Sequence, residues 1–141
     1  MDIAPSDSFL RVGQAIGEQR TLNRMQKVAL GLVCEALDIV TDETAGPDHQ
    51  HLQYIGGGGG TGKSWLIAAI KDVFAAKGAS NQIVITATSG TAAAGIGGNT
   101  IHSAVGLAFK DQDGAAMENI PPATIERSKQ RWRRRKVLVV D

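Results

Sequence analysis

The stretch Gly57-Gly58-Gly59-Gly60-Thr61-Gly62-Lys63-Ser64 constrains this chain more than any other, because it completes the pattern G-x-x-x-x-G-K-[ST]. Glycines let successive backbone N–H groups turn toward one anion, as a phosphate-binding loop requires. A helix starting near Ser64 adds its positive end to the same place. Lys63 then reaches the β- and γ-phosphates of a nucleotide, and the Ser64 hydroxyl is a ligand for Mg²⁺. A flexible glycine linker would match by accident, but the setting argues against it. Leu52–Ile55 reads as a short apolar strand before the glycines, and Ser64–Lys77 as an amphipathic helix after them. In that helix Leu66, Ile67, Ile70, Val73 and Phe74 share the inward face, with Gly78 as the stop.

The rest of the chain alternates in the same way. Asn23 is a good N-cap for a helix in which Met25, Val28, Ala29, Leu32, Val33, Ala36 and Leu37 recur as one apolar face. Cys34 lies in that pattern and reads as a buried small hydrophobe. A lone cysteine excludes an internal disulfide and a cysteine-based metal cluster. Residues 41–50 are a turn-rich linker, and His49 and His51, which flank Gln50, read as loop residues rather than a metal pair. Ile83–Thr86 is a second strand that runs into the small-residue stretch TSGTAAAGIGGNT, and a short helix follows from Ile101. Residues 110–123 are loop, Thr124–Arg135 is a basic helix with Ile125 and Trp132 on one face, and Val137–Val140 is a third, wholly apolar strand. This order predicts a layered α/β domain with a parallel sheet covered on both faces. Residues 1–20 carry no clear signal and form a poorly defined N-terminal segment, leaving 21–141 as the domain proper.

Asp141 directly follows the third strand, the layout of a carboxylate that holds Mg²⁺ through water, the Walker B position. Ligands of an open parallel sheet gather beyond the carboxyl ends of its strands. The glycine loop, the TSGTAAAG stretch and Asp141 are therefore expected on one edge. Thr86, Thr88, Ser89 and Thr91 crowd hydroxyls near a helix start, which suits contact with nucleic-acid phosphates; a close-packed helix of small residues accounts for Ala92–Gly95. The formal net charge is only +1, so attraction to a polyanion must be local. The run Arg131, Arg133, Arg134, Arg135 and Lys136 reads either as a phosphate patch or, the commoner case, as a solvated helix face. No apolar run approaches the ~20 residues that span a bilayer, and Met1–Ser8 lacks the layout of a signal peptide. These features predict a soluble, intracellular chain with no membrane partner.

Residues 85–107, ITATSGTAAAGIGGNTIHSAVGL, resemble motif Ia and its continuation in the Pif-one and RecD-like DNA helicases. Thr86, Ala87, Ser89, Gly90, Ala92, Ala93, Ile96, Gly98, Thr100, Ile101, His102 and Ser103 stand in that family's register. The GTGKS form of the loop, LNRMQ at 22–26 and the basic helix with Trp132 ahead of VLVVD are similar too, so the resemblance covers 21–141. It implies a RecA-like P-loop NTPase fold, a parallel sheet with helices on both faces, here the N-terminal portion of the first motor domain and incomplete. It implies ATP hydrolysis with Mg²⁺, coupled to five-prime to three-prime translocation on single-stranded DNA and duplex unwinding. It further implies roles in DNA repair, recombination or telomere maintenance, in the nucleus or mitochondrion of a eukaryote.

Residue by residue, the resemblance assigns catalysis to Lys63 and Asp141 and metal binding to Ser64 and Asp141. It assigns the phosphates to Gly57, Gly58, Gly59, Gly60, Thr61, Gly62, Lys63 and Ser64, and adenine to Gln26. Thr88, Ser89, Thr91 and His102 are assigned to DNA. Many relatives place a Phe after the His-Ser pair where this chain has Ala104, and with 4% aromatic residues base stacking on this segment is not expected. The family's Walker B continues with a water-polarising Glu, whereas the sequence stops at Asp141. A later strand of that fold separates the strand before the loop from the Walker B strand. Without it Leu52–Ile55 and Val137–Val140 face a gap, and the span 1–141 is expected to be poorly stable and to hydrolyse no ATP. The alternatives are a nucleotide-binding regulatory module with no DNA role, a small P-loop kinase, for which neither lid nor acceptor site is found, and an inactive truncated helicase. Pathway, preferred DNA structure and oligomeric state stay open.

Overall fold

A computed structural model describes residues 3–41, 49–106 and 121–141. They fall into two compact units, Met1–Ser80 and Asn81–Asp141.

The first unit is built from three helices, α1 (Phe9–Gln19), α2 (Arg24–Thr41) and α3 (Lys63–Ala76). The sequence reading finds a short apolar stretch and no clear signal in residues 1–20, yet Phe9–Gln19 is helical. A local cap and a tertiary one start α1. The Ser8 Oγ accepts the Arg11 N–H at 3.2 Å, and the Asp38 carboxylate of α2 accepts the N–H groups of Phe9 and Leu10 at 2.7 and 3.0 Å. A carboxylate at this end satisfies two orphan donors and complements the positive end of the helix. Phe9, Val12 and Ile16 are then buried, with the Phe9 and Phe74 rings 5.5 Å apart.

Helix α2 corrects a second expectation. Its buried residues are Leu30, Cys34 and Leu37, at steps of four and three, whereas Met25, Val28 and Leu32 are 73%, 51% and 45% exposed. The helix is apolar around most of its circumference, so spacing alone supports two faces. The buried one is the one that meets α1 at Gly13, where an added Cβ would lie 2.5 Å from the Cys34 Sγ.

Helix α3 buries Leu66, Ile67, Ile70, Val73 and Phe74 as expected, with Ala69 beside them. It ends as expected too. Gly78 takes a φ of +64°, its N–H donates to the Ala75 carbonyl, and the Ala79 N–H donates to the Phe74 carbonyl at 2.8 Å, a Schellman closure.

The expected strand Leu52–Ile55 is not formed. The segment has no regular structure, and Leu52 and Tyr54 are 83% and 94% exposed. An isolated run of apolar residues has no ladder to join, and a strand is stable only with a partner to take its N–H and C=O groups. What holds the segment is a side chain: the Gln53 Nε2 donates to the Ala29 carbonyl of α2 at 3.1 Å.

The second unit contains β1 (Ile83–Ala87), α4 (Gly90–Gly95), β2 (Asn99–Thr100), α5 (Ile101–Val105), α6 (Pro122–Trp132) and β3 (Val137–Val140). The strands form one sheet in the order β2-β1-β3, and both pairings are parallel. The α/β class with a parallel sheet is therefore what the chain adopts. Ile83 to Thr86 align with Val137 to Val140 in register. Thr86 is fully buried and its hydroxyl donates to the Val139 carbonyl at 2.7 Å, which stitches the two strands a second time. Along β3, half-buried residues alternate with Leu138 and Val140, which are 45% and 55% exposed, rather than being covered throughout. Helix α6 begins two residues earlier than the sequence suggests, with proline in its first turn, and buries none of its residues. Of its expected apolar face, Trp132 is half-buried and Ile125 exposed.

Candidate functional site

The glycine loop enters α3 without a side-chain cap. Gly62 is the N-cap residue at φ +87°, and no side chain satisfies the first amides of the helix. Those N–H groups are left to an external acceptor, at the positive end of a fourteen-residue helix. Gly62 is glycine because its left-handed φ disfavours any Cβ; one built there would also sit 2.4 Å from the Gln26 Nε2, a side-chain tip that would have to move aside. Gly58, Gly59 and Gly60 stand in the open, where an added Cβ meets nothing within 4 Å.

Lys63 folds back over its own loop, its Nζ donating to the carbonyls of Gly57 and Gly58 at 2.6 and 2.8 Å. The Thr61 hydroxyl donates to the same Gly58 carbonyl at 2.7 Å. The Ser64 side chain is exposed in the first turn of α3. The donors here are an ammonium, free first-turn amides and hydroxyls, with no carboxylate between Gly56 and Ser64. That set fits a polyphosphate accompanied by a hard cation. Gln26 lies close by, its Nε2 donating to the Gly62 carbonyl at 3.2 Å.

In the second unit, Thr88, Ser89 and Thr91 are exposed at the carboxyl end of β1. Ser89 is extended and is the N-cap of α4, its Oγ accepting the Ala92 N–H at 3.2 Å. Asp141 stands at the same end of the sheet. Its N–H donates to the Thr86 carbonyl at 2.9 Å and its carbonyl accepts the Thr88 N–H at 3.0 Å. Thr86, grouped with these hydroxyls on sequence, is spent inside the sheet instead. Thr100 caps α5 by accepting the Ser103 N–H at 3.3 Å, and His102 is half-buried within that helix.

The model of the PIF1-like helicase family matches residues 19–141. The chain belongs to that family. Over 96 residues, 67% of this chain, it is 42% identical to a Trypanosoma brucei brucei protein named ATP-dependent DNA helicase PIF7, of which it covers 9%. Two further proteins of that organism, named ATP-dependent DNA helicase PIF1 and PIF4, are each 46% identical over 57 and 54 residues, 40% and 38% of this chain and 6% of each relative. The matched stretches thus span less than a tenth of those relatives. No solved structure matches at a significant level.

For this member of the PIF1-like family, the structure gathers the expected residues in two places. Gly57 to Ser64 and Gln26 belong to the first unit; Thr88, Ser89, Thr91, His102 and Asp141 belong to the second. Sequence reasoning missed a cluster beside the loop. Arg20, at the end of α1, pairs through Nε with the Asp72 Oδ2 at 2.5 Å, lies 4.8 Å from the Trp65 ring centroid, and accepts the Trp65 Nε1–H on its carbonyl at 3.0 Å. Forty-five residues separate Arg20 from Trp65, so no local pattern announces them. No helix among the described residues is long and apolar enough to cross a membrane.

Proposed function

We propose that the chain carries the nucleotide-binding part of an ATP-dependent DNA helicase motor, with Gly57–Ser64 as the triphosphate site. The observation that carries this reading is the uncapped start of α3 with Lys63 and Ser64 in its first turn. The Lys63 ammonium exchanges its two loop carbonyls for phosphate oxygens and neutralises charge that develops on transfer. The first-turn amides hold the oxygens that Lys63 does not reach. Mg²⁺, when bound, supplies further charge neutralisation between the phosphates. Ser64 offers it a hydroxyl, and Asp141 is assigned to it on the resemblance alone. Among the described residues no cluster of three or more His, Cys, Asp or Glu side chains could hold a metal.

Thr88, Ser89 and Thr91 fix the phosphates of single-stranded DNA, since exposed hydroxyls at a strand end position a backbone without reading bases. His102 joins them on the resemblance. Translocation from five-prime to three-prime, and roles in repair, recombination or telomere maintenance, belong to the same reading. The decisive test is Lys63→Ala in the intact enzyme. DNA-stimulated phosphate release should be abolished; near-wild-type turnover in that variant overturns the phosphate site.

A further inference from the structure

We propose that Arg20 is a positioning residue for the phosphate-binding turn of α3, acting through Trp65 and Asp72 as a splint along that helix. The inference rests on the triphosphate site proposed above and adds to it a residue that works through the helix, not by contact with the nucleotide.

The need for a splint follows from how α3 begins. Its N-cap residue, Gly62, offers no side-chain cap, and nothing packs where a Cβ would stand on Gly58, Gly59 or Gly60. An uncapped helix end frays, because its first residues give up backbone freedom for few bonds. A frayed turn no longer aims its N–H groups at one anion. The first turn of α3 therefore has to be held from elsewhere.

Trp65 is the handle. It follows Lys63 and Ser64 in that turn and is 49% exposed, so the core does not hold it. Its indole N–H donates to the Arg20 carbonyl at 3.0 Å, and the Arg20 guanidinium lies 4.8 Å from its ring centroid. The same guanidinium pairs through Nε with the Asp72 Oδ2 at 2.5 Å. Asp72 stands about two turns beyond Trp65, on the same side of the helix. One arginine thus grips the first turn and ties it to the stretch of α3 that buries Ile70, Val73 and Phe74.

The splint is anchored at its own end. Arg20 is the C-cap of α1, its N–H donating to the Ile16 carbonyl at 2.9 Å. The next residue, Thr21, is β-branched yet sits in the left-handed region at φ +51°, a conformation that the surroundings have to enforce. A Schellman pair enforces it: the Thr21 N–H donates to the Glu18 carbonyl and the Leu22 N–H to the Gly17 carbonyl, both at 3.0 Å, with Leu22 buried. The Thr21 hydroxyl donates to the Arg20 carbonyl at 2.7 Å, the oxygen that also receives the Trp65 indole. These bonds fix the Arg20 carbonyl without help from a nucleotide.

The test follows affinity and local order together. The full chain is titrated calorimetrically with inorganic tripolyphosphate and Mg²⁺, and amide exchange is followed without ligand. An unsplinted turn binds only in the fraction of molecules where it is formed, and apparent affinity falls by that fraction. Arg20→Met should weaken tripolyphosphate roughly three- to ten-fold, the worth of a cation–ring contact together with an ion pair near the surface. It should also speed exchange of the Leu66 N–H, which bonds the Gly62 carbonyl, and leave that of the Lys77 N–H, bonded to the Val73 carbonyl at the other end of α3, as it was. Asp72→Ala, at a side chain 41% exposed that the core does not need, should act in the same sense. Because the two residues work as one unit, the double variant should be little worse than Arg20→Met. Lys77→Met, which releases the Pro5 and Asp7 carbonyls from the far end of α3, should lower the melting temperature yet leave tripolyphosphate affinity unchanged. The proposal is overturned if Arg20→Met lowers the melting temperature alone, if it leaves Leu66 exchange unchanged, if the double variant is fully additive, or if Lys77→Met loses the same affinity. A wild-type chain that does not bind tripolyphosphate would sink the triphosphate site itself, and this inference with it.

Discussion

Ser89 has two tasks on one oxygen. Its lone pair caps α4, and its proton is free for a phosphate oxygen. Replacing it by alanine mixes the two effects, since a lost N-cap destabilises by about 1 kcal/mol. Aspartate separates them, being as good a cap as serine but repelling an anion. Ser89→Asp should therefore keep the melting temperature and weaken binding to oligonucleotides of every composition alike. Unchanged affinity in fluorescence anisotropy at fixed salt would remove Ser89 from the proposed DNA contacts. Cys34 is the opposite kind of residue. Burial, then the charges of Asp38 and Glu35, push its thiol up to about 12. The folded value lies above that of a free thiol, near 8.5, so the stabilising contribution is complete below that pH and is lost as pH rises toward the folded value. A thiol reagent at about pH 8 should label the native chain far more slowly than the unfolded one, because only an accessible thiolate reacts. Labelling at the free-thiol rate would contradict this burial.

Among the elements, β1 depends on close approach. A Cβ built on Gly98 would stand 2.5 Å from the Ile85 carbonyl oxygen and 2.9 Å from its carbon. Those are backbone atoms of the central strand and cannot swing aside as a side-chain tip does. Gly98→Ala should cost about 1–3 kcal/mol through forced overpacking, and should shift chemical denaturation accordingly. A midpoint equal to wild type would show that β2 yields freely. The same register explains why glycine stands here in a run otherwise tolerant of small residues. Helix α2 shows how little an element decides by itself. Its pattern permits either of two apolar stripes, and the glycine-lined side of α1 selects the one through Leu30, Cys34 and Leu37.

At the scale of the molecule, the buried apolar residues are unevenly shared. Helices α1, α2 and α3 bury large side chains, among them Phe9, Val12, Leu30, Leu66, Ile70 and Phe74, whereas the described part of the second unit buries Ile85, Ala87, Ala93 and Ile96. Local stability follows buried apolar contact. Amide exchange should therefore be slower in α3 than in β3, whose Leu138 and Val140 face outward. Slower exchange in β3 than in α3 would refute this ordering.

Features that depend on neighbours along the chain are legible in the sequence. The glycine loop ahead of α3, the inward face and Gly78 stop of that helix, the Asn23 cap of α2, the strands at Ile83 and Val137 and their parallel sense all follow from periodicity, capping and turn chemistry at short range. Family membership was legible for the same reason, since its register runs through contiguous residues. Tertiary structure alone decided what depends on distant partners. Helix Phe9–Gln19, which has a local cap in Ser8, gains a second from Asp38 and is received by Phe74. Leu52–Ile55 has the composition of a strand and forms none, because a strand exists only in a ladder. Thr86 left the exposed hydroxyl cluster because the Val139 carbonyl lies within its reach. Arg20 meets Trp65 and Asp72 across 45 and 52 residues, a distance over which spacing carries no signal and only packing brings charges and rings together.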